Sequence, residues 1–163
     1  MTTNVTLRKP RPTDGHAVNR LIALCPPLDT NSTYCNLLQC SHFADTSVCA
    51  ELNGALVGFV SGYRLPAQPD TLFIWQVAVG EAARGQGLAR TMVDHLIQRP
   101  AEAPLRWLHT TITNDNDASW ALFRRIAAAH DTDITHSVGF EEKLHFDGRH
   151  ATEMLVQVGP FQN

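Results

Sequence analysis

The apolar positions of the chain change period several times, and each change marks an element. Val5 and Leu7 alternate with polar neighbours, which predicts a short strand over Val5–Lys9. Pro10 and Pro12 stop it, and Thr13 or Asp14 is placed to cap a helix. Ala17, Val18, Leu21, Ile22 and Leu24 then recur at helical spacing until Pro26 and Pro27 end the run. Leu28-Asp29-Thr30-Asn31 reads as a loop. A second helix follows, capped by Asn31 or Ser32, with Leu37, Leu38 and Phe43 on its apolar side. Thr46–Leu52 and Ala55–Leu65 are strands joined by Asn53-Gly54, a dipeptide suited to the positive φ angles of a tight hairpin turn. Thr71–Val79 is a longer apolar run that fits an interior strand. After a glycine-bearing loop over Ala83–Gly87, Leu88, Met92, Val93, Leu96 and Ile97 form the apolar face of a third helix. Pro100 and Pro104 bracket a turn before a strand over Leu105–Ile112. A helix over Asp117–Ala129, a strand somewhere within Ile134–Phe146 and a last strand over Ala151–Val158 complete the series. Antiparallel strands first and strand–helix alternation afterwards predict an α/β fold, a mixed and mostly antiparallel sheet with helices on both faces.

Composition narrows this picture without redirecting it. A length of 163 residues fits one domain over 1–163, large enough to bury a core without disulfides or metals. There is no internal repeat, low-complexity tract or interdomain linker. The net charge of -3 argues against a general nucleic-acid binder. Cys25, Cys35, Cys40 and Cys49 form no C-x-x-C pair and no zinc spacing, so they read as reduced, buried thiols, and no metal is expected. The first residues do not have the form of a signal peptide, and no run approaches the roughly 20 apolar residues of a membrane span. A cytoplasmic protein with no membrane partner is expected.

The chemistry is concentrated where the fourth predicted strand, ending Val77-Ala78-Val79, runs into Arg84-Gly85-Gln86-Gly87-Leu88-Ala89. Glycines let backbone approach a ligand closely. The first turn of a helix offers unpaired N–H groups and the positive end of the helix dipole, a natural site for pyrophosphate. Arg84 adds a guanidinium able to form charge-assisted hydrogen bonds to phosphate. No Gly-Lys-Ser/Thr follows, so this is not a nucleotide P-loop, and the glycines do not repeat as in a dinucleotide fingerprint. The segment does resemble the pyrophosphate motif of the GNAT N-acetyltransferases, Arg/Gln-x-x-Gly-x-Gly/Ala, met here by Arg84, Gly87 and Ala89. The resemblance implies a GNAT-type sheet and acetyl-CoA as co-substrate, held along Val77, Ala78, Val79 and the Arg84–Ala89 loop. Asn116-Asp117-Ala118-Ser119-Trp120-Ala121-Leu122-Phe123 resembles the family segment in which an Asn precedes a helix. On that alignment Asn116 meets the pantetheine arm or the neighbouring strand, although the residue would serve equally as a helix cap. Phe123 departs from the family: it stands where many members carry a Tyr whose hydroxyl protonates the leaving thiolate, and Phe has no proton to give.

Four further stretches narrow the resemblance. Leu28–Cys35, Phe43–Thr46, Asp70–Val79 and Leu144–Leu155 look like the diaminobutyrate acetyltransferases of ectoine biosynthesis, a family that also shares the Phe and the extended His130–Ser137 segment. The implied reaction moves acetyl from acetyl-CoA to the γ-amine of L-2,4-diaminobutyrate, and the implied assembly is a homodimer. A substrate with two ammonium groups and a carboxylate asks for acidic partners. Asp29, Tyr34 and Trp75 are the candidate substrate-binding residues, and Glu153 and His150 the candidate catalytic ones. A carboxylate in a strand is unexpected by propensity, which marks Glu153 in particular. Each also has a plainer reading: a turn cap for Asp29, core aromatics for Tyr34 and Trp75, a solvated loop residue for His150. His16, His42, His95, His109, His130 and His136 stand in no constellation. Two other functions fit the same residues: a GNAT enzyme for a different amine, and a non-catalytic acyl-CoA sensor, which Phe123 would suit.

Overall fold

The computed structural model describes residues 4–162. The strands are β1 (Thr6–Arg8), β2 (Val48–Leu52), β3 (Ala55–Leu65), β4 (Gln68–Val79), β5 (Trp107–Thr113), β6 (Asp133–Phe140) and β7 (Glu153–Gly159). The helices are α1 (Gly15–Ala23), α2 (Thr33–Ser41), α3 (Leu88–Gln98) and α4 (Asp117–Ala129). Seven strands form a sheet in the order β1-β2-β3-β4-β5-β7-β6. β4 and β5 run parallel, whereas β1–β2, β2–β3, β5–β7 and β6–β7 are antiparallel. The chain divides into two compact units: Met1–Tyr63 with Ile74–Pro100, and Arg64–Phe73 with Ala101–Asn163.

In the first unit, α1 buries Val18, Leu21 and Ile22 in a cluster with Cys25, Cys40, Cys49, Phe59 and Ala78. The neighbouring residues of the same strands, Ala50 and Gly58, face the other way and meet α3. A Cβ on Gly58 would lie 2.9 Å from the terminal methyl of Met92, so glycine there lets the helix close on the sheet. Helices therefore cover both faces, as expected. The hairpin turn also follows the expectation, with Asn53 at φ 52° and Gly54 at φ 78°.

Beyond shifts of two or three residues at the ends of β4, β5 and β7, four details differ. Asp14 does not cap α1 with its side chain. It pairs with Arg8 at 2.8 Å, in a network that Arg8 extends to Glu51. β2 starts at Val48 rather than Thr46, because Ala44–Thr46 is a turn of 3-10 helix whose Thr46 hydroxyl donates to the Gly62 carbonyl. The thiols of Cys25, Cys40 and Cys49 are buried as expected, but Cys35 is only half-buried. The largest difference is α2. Its buried residues are Asn36, Gln39 and Cys40, while Leu37 is exposed and Leu38 half-buried. Periodicity misplaced this face because its inward side chains are amides that satisfy one another: Asn19 Nδ2 donates to Asn36 Oδ1 (3.0 Å) and Asn36 Nδ2 to Gln39 Oε1 (2.9 Å).

In the second unit, α4 buries Trp120, Phe123, Ile126 and Ala127. Leu108, Ile112, Val156 and Val158 are buried on β5 and β7, with Leu108 opposite Val158 and Ile112 opposite Met154. Trp120 Nε1 donates to the Thr113 carbonyl at 3.1 Å, tying α4 to the end of β5. β6 lies at the sheet edge and carries a register shift between Val138 and Phe140. Gly139 sits there because a Cβ would fall 2.9 Å from the Glu153 carbonyl oxygen. The shift lets Phe140 pair with Glu153, the first residue of β7.

Candidate active site

The loop after β4 is fixed at both ends by the main chain. Gly80 N–H donates to the Val57 carbonyl at 2.8 Å, and the Arg84 guanidinium returns to the Val79 carbonyl at 3.1 Å. Gly85 and Gly87 then take φ angles of +75° and +73°. Open space lies where a Cβ would point at either position, so conformation and not crowding demands glycine there. Gly87 is the N-cap of α3, and its carbonyl accepts from both Thr91 N–H and the Thr91 hydroxyl at 3.0 Å. The N–H groups of the first turn, beginning with Leu88 and Ala89, have no acceptor inside the helix. Gly85, Gln86 and Gly87 line the turn as exposed residues, and a helix N-terminus of this form can offer its N–H groups to an anion. Arg84 is already engaged through Nε, so it braces the loop as well as supplying charge.

The same unit holds Asp29, Tyr34 and Trp75. Asp29 is exposed on the loop between α1 and α2, and its carbonyl accepts from Gln76 Nε2 at 2.8 Å. Ser32 caps α2 by accepting from Cys35 N–H, which places Tyr34 in the first turn. Tyr34 is 68% exposed and Trp75 38% exposed, so neither is a core aromatic. The indole of Trp75 meets Tyr63 and Phe43 edge-on, with centroids 6.0 and 6.3 Å apart, a geometry that holds its orientation. Among the strand residues, Ala78 is buried while Val77 and Val79 are half-buried.

Glu153 and His150 belong to the second unit and are brought together. His150 Nε2 lies 3.8 Å from Glu153 Oε1. His150 Nδ1 lies 2.7 Å from the Ala151 carbonyl, which requires the proton on Nδ1 and leaves Nε2 toward the carboxylate. The Phe146 ring, 4.6 Å from the imidazole, closes its other side. Asn116 caps α4 through Oδ1, which accepts from Ser119 N–H at 3.2 Å. Phe123 is buried in the core of this unit.

Three features escaped the sequence reading. Gln76 is one, a polar residue inside the otherwise apolar run Leu72–Val79, and that interruption was its available signal. Phe43 and Tyr63, the supports of Trp75, carried no signal beyond being aromatic. The third is His109. It is buried, accepts from Gln157 Nε2 at 3.2 Å, and has its pKa lowered by burial. With Asp70, Thr71 and Trp107 it lines a recess of about 290 Å³ that contains none of the expected site residues. Among the described residues, no group of three metal-ligating side chains comes together, and no helix is long and apolar enough to cross a membrane.

The chain has counterparts among known proteins. The model of the acetyltransferase (GNAT) family matches residues 16–128, and the chain belongs to that family. Within it, the chain falls among the L-2,4-diaminobutyric acid acetyltransferases. It is 56% identical to the enzyme of that name from Methylotuvimicrobium alcaliphilum over 97% of this chain and 92% of the relative. It is 48% identical to the one from Vibrio parahaemolyticus, over 93% and 83%. Among solved structures, the diaminobutyrate acetyltransferase EctA from Paenibacillus lautus, in complex with its substrate L-2,4-diaminobutyric acid and coenzyme A, is 40% identical. It superposes with a TM-score of 0.93 over 99% of this chain and 98% of that one.

Proposed function

We propose that this protein transfers the acetyl group of acetyl-CoA to the γ-amine of L-2,4-diaminobutyrate, a step of ectoine biosynthesis. The observation that carries the reading is the 56% identity, over nearly the whole of both chains, to a diaminobutyrate acetyltransferase. The glycine turn at the start of α3 supports it by offering backbone N–H groups to the coenzyme pyrophosphate. In this reading Arg84 to Ala89 receive the pyrophosphate, and Val77, Ala78 and Val79 receive the pantetheine arm. Asn116 and Phe123 belong to the same coenzyme-binding set. The whole chain acts as one catalytic domain, works in the cytoplasm as a homodimer, and requires no metal, membrane or nucleic acid.

The reaction forms a C–N bond as the thioester C–S bond breaks. The attacking amine must be neutral. With a pKa near 10.4, as for lysine, deprotonation at pH 7 costs about 4–5 kcal/mol. Glu153 is the group assigned to accept that proton, and His150, 3.8 Å away, the group assigned to stabilise the carboxylate or pass the proton on. Main-chain N–H groups of Val77 to Val79 are assigned to the thioester oxygen as it gains charge. Asp29 takes the second, non-reacting ammonium, and Tyr34 and Trp75 confine the aliphatic chain. The thiolate leaves without a tyrosine donor and takes its proton from water, which a thiol pKa near 8.5 tolerates.

The experiment is product analysis. Purified protein, acetyl-CoA and L-2,4-diaminobutyrate should give one acetylated product, with the NMR shift change at the γ-methylene. Acetylation at the α-amine, or none, would contradict the assignment.

A further inference from the structure

We propose that Gln76 is a positioning residue for substrate selection: its side-chain amide holds the loop that carries Asp29. The inference rests on the reading above, in which Asp29 receives the non-reacting ammonium. Gln76 lies on β4 between Trp75 and Val77 and is 8% exposed. Nε2 donates to the Asp29 carbonyl at 2.8 Å. Oε1 is buried and, among the described residues, has no hydrogen-bond partner. An amide buried with one end unsatisfied costs stability that an isosteric Met or Leu would not. Stability therefore does not account for Gln at this place in an apolar strand, and the bond it does make leads to Asp29.

The loop is held at a second point. Asn19 Nδ2 donates to the Asn31 carbonyl at 2.9 Å and to Asn36 Oδ1 at 3.0 Å. Asn36 Nδ2 in turn donates to Gln39 Oε1 at 2.9 Å, and Gln39 Nε2 reaches the Ser61 hydroxyl at 3.5 Å. That hydroxyl accepts the Gln76 backbone N–H at 3.1 Å. A chain of buried and half-buried polar side chains thus runs from the backbone of β4 through Ser61 on β3, α2 and α1 to Asn31, and the Gln76 side chain meets the same loop at Asp29. The polar inner face of α2 has these bonds as its physical reason. Two carbonyls of one exposed loop, two residues apart, are pinned by side chains from β4 and α1. The Asp29 carboxylate leaves its backbone from within that pinned stretch, so its position is set by Gln76 without Gln76 touching substrate.

The test is a double-mutant cycle on Gln76→Met and Asp29→Ala, read as preference for L-2,4-diaminobutyrate over 4-aminobutyrate, which lacks the α-amine. Gln76→Met should raise KM for diaminobutyrate roughly tenfold, leave KM for acetyl-CoA within about twofold and change kcat by less than about threefold. It should erode the preference as Asp29→Ala does, and the double variant should erode it little further. Independent, multiplying losses of preference would overturn the proposal, as would a loss confined to kcat or to KM for acetyl-CoA. Gln76→Leu serves if Gln76→Met does not fold, and failure of both to fold would make Gln76 a structural residue and overturn it too. A wild-type chain inactive on diaminobutyrate would overturn the functional reading itself, which is a different result from active protein with additive variants.

Discussion

At the scale of single residues, the proposed roles divide by what each side chain would do in the ground state and in the transition state. Asp29, anchoring a non-reacting ammonium, acts before and during the reaction alike. Asp29→Ala should therefore raise KM for diaminobutyrate more than it lowers kcat. Glu153 is different, because its carboxylate is asked to take a proton as the bond forms. Glu153→Gln should lower kcat by about 100-fold or more and flatten the acid limb of the pH profile, since the volume is kept and the base is lost. Steady-state kinetics on folded variants at saturating acetyl-CoA distinguish the two, and wild-type behaviour in both would return these carboxylates to structural roles. His109 supplies a pH dependence of another kind. Burial lowers its pKa, so the folded state resists the proton that the unfolded chain accepts near pH 6.5. Its stabilising contribution is whole above that pH and is lost as pH falls toward the lower folded-state value. Thermal melts between pH 7.5 and 5.5 should fall less steeply for His109→Gln than for wild type. Equal slopes would show that His109 does not titrate differently on folding.

At the scale of elements, the strand–turn–helix from β4 to α3 is the segment proposed to hold the coenzyme, and its glycines are the sensitive points. Val at Gly87 would have to adopt φ near +73°, a strain of about 1–3 kcal/mol that the turn relieves by moving its N–H groups. Gly87→Val should abolish acetyl-CoA binding by calorimetry while far-UV circular dichroism stays native, and unchanged affinity would remove the pyrophosphate from this turn. This element was legible in the sequence because backbone demands, glycine at positive φ and a helix beginning at an apolar residue, leave direct marks. The same holds for the Asn53-Gly54 hairpin and for α4, whose Asp117–Ala129 bounds match the reading. The inner face of α2 was not legible. Asn36, Gln39 and Ser61 are buried polar groups, each with a partner on another element, and no period within one segment reports a partner elsewhere. Gln76 was hidden for the same reason: its hydrogen bond to Asp29 spans 47 residues of sequence. Of the site itself, the glycine turn stands where it was expected and His150 and Glu153 lie together, whereas the supports of Asp29 and Trp75 come together only in the folded chain.

At the scale of the whole molecule, residues proposed for the coenzyme and residues proposed for the acceptor occur in both units of the chain. The first unit carries the glycine turn together with Asp29, Tyr34 and Trp75; the second carries Glu153, His150, Asn116 and Phe123. In the proposed reaction the acceptor is a small, doubly cationic amino acid, and one carboxylate alone could not distinguish its two amines. Size selection follows from the proposal. Ornithine and lysine carry the same groups on longer chains, which a site fitted to diaminobutyrate would accept less well. The decisive measurement is kcat/KM for acetyl-CoA-dependent thiol release with L-2,4-diaminobutyrate, ornithine, lysine and 4-aminobutyrate on the wild-type protein. Diaminobutyrate should exceed each of the others by at least about 100-fold, equivalent to roughly 2.7 kcal/mol of transition-state discrimination. Comparable rates across the panel, or a preference for a longer diamine, would contradict the assignment.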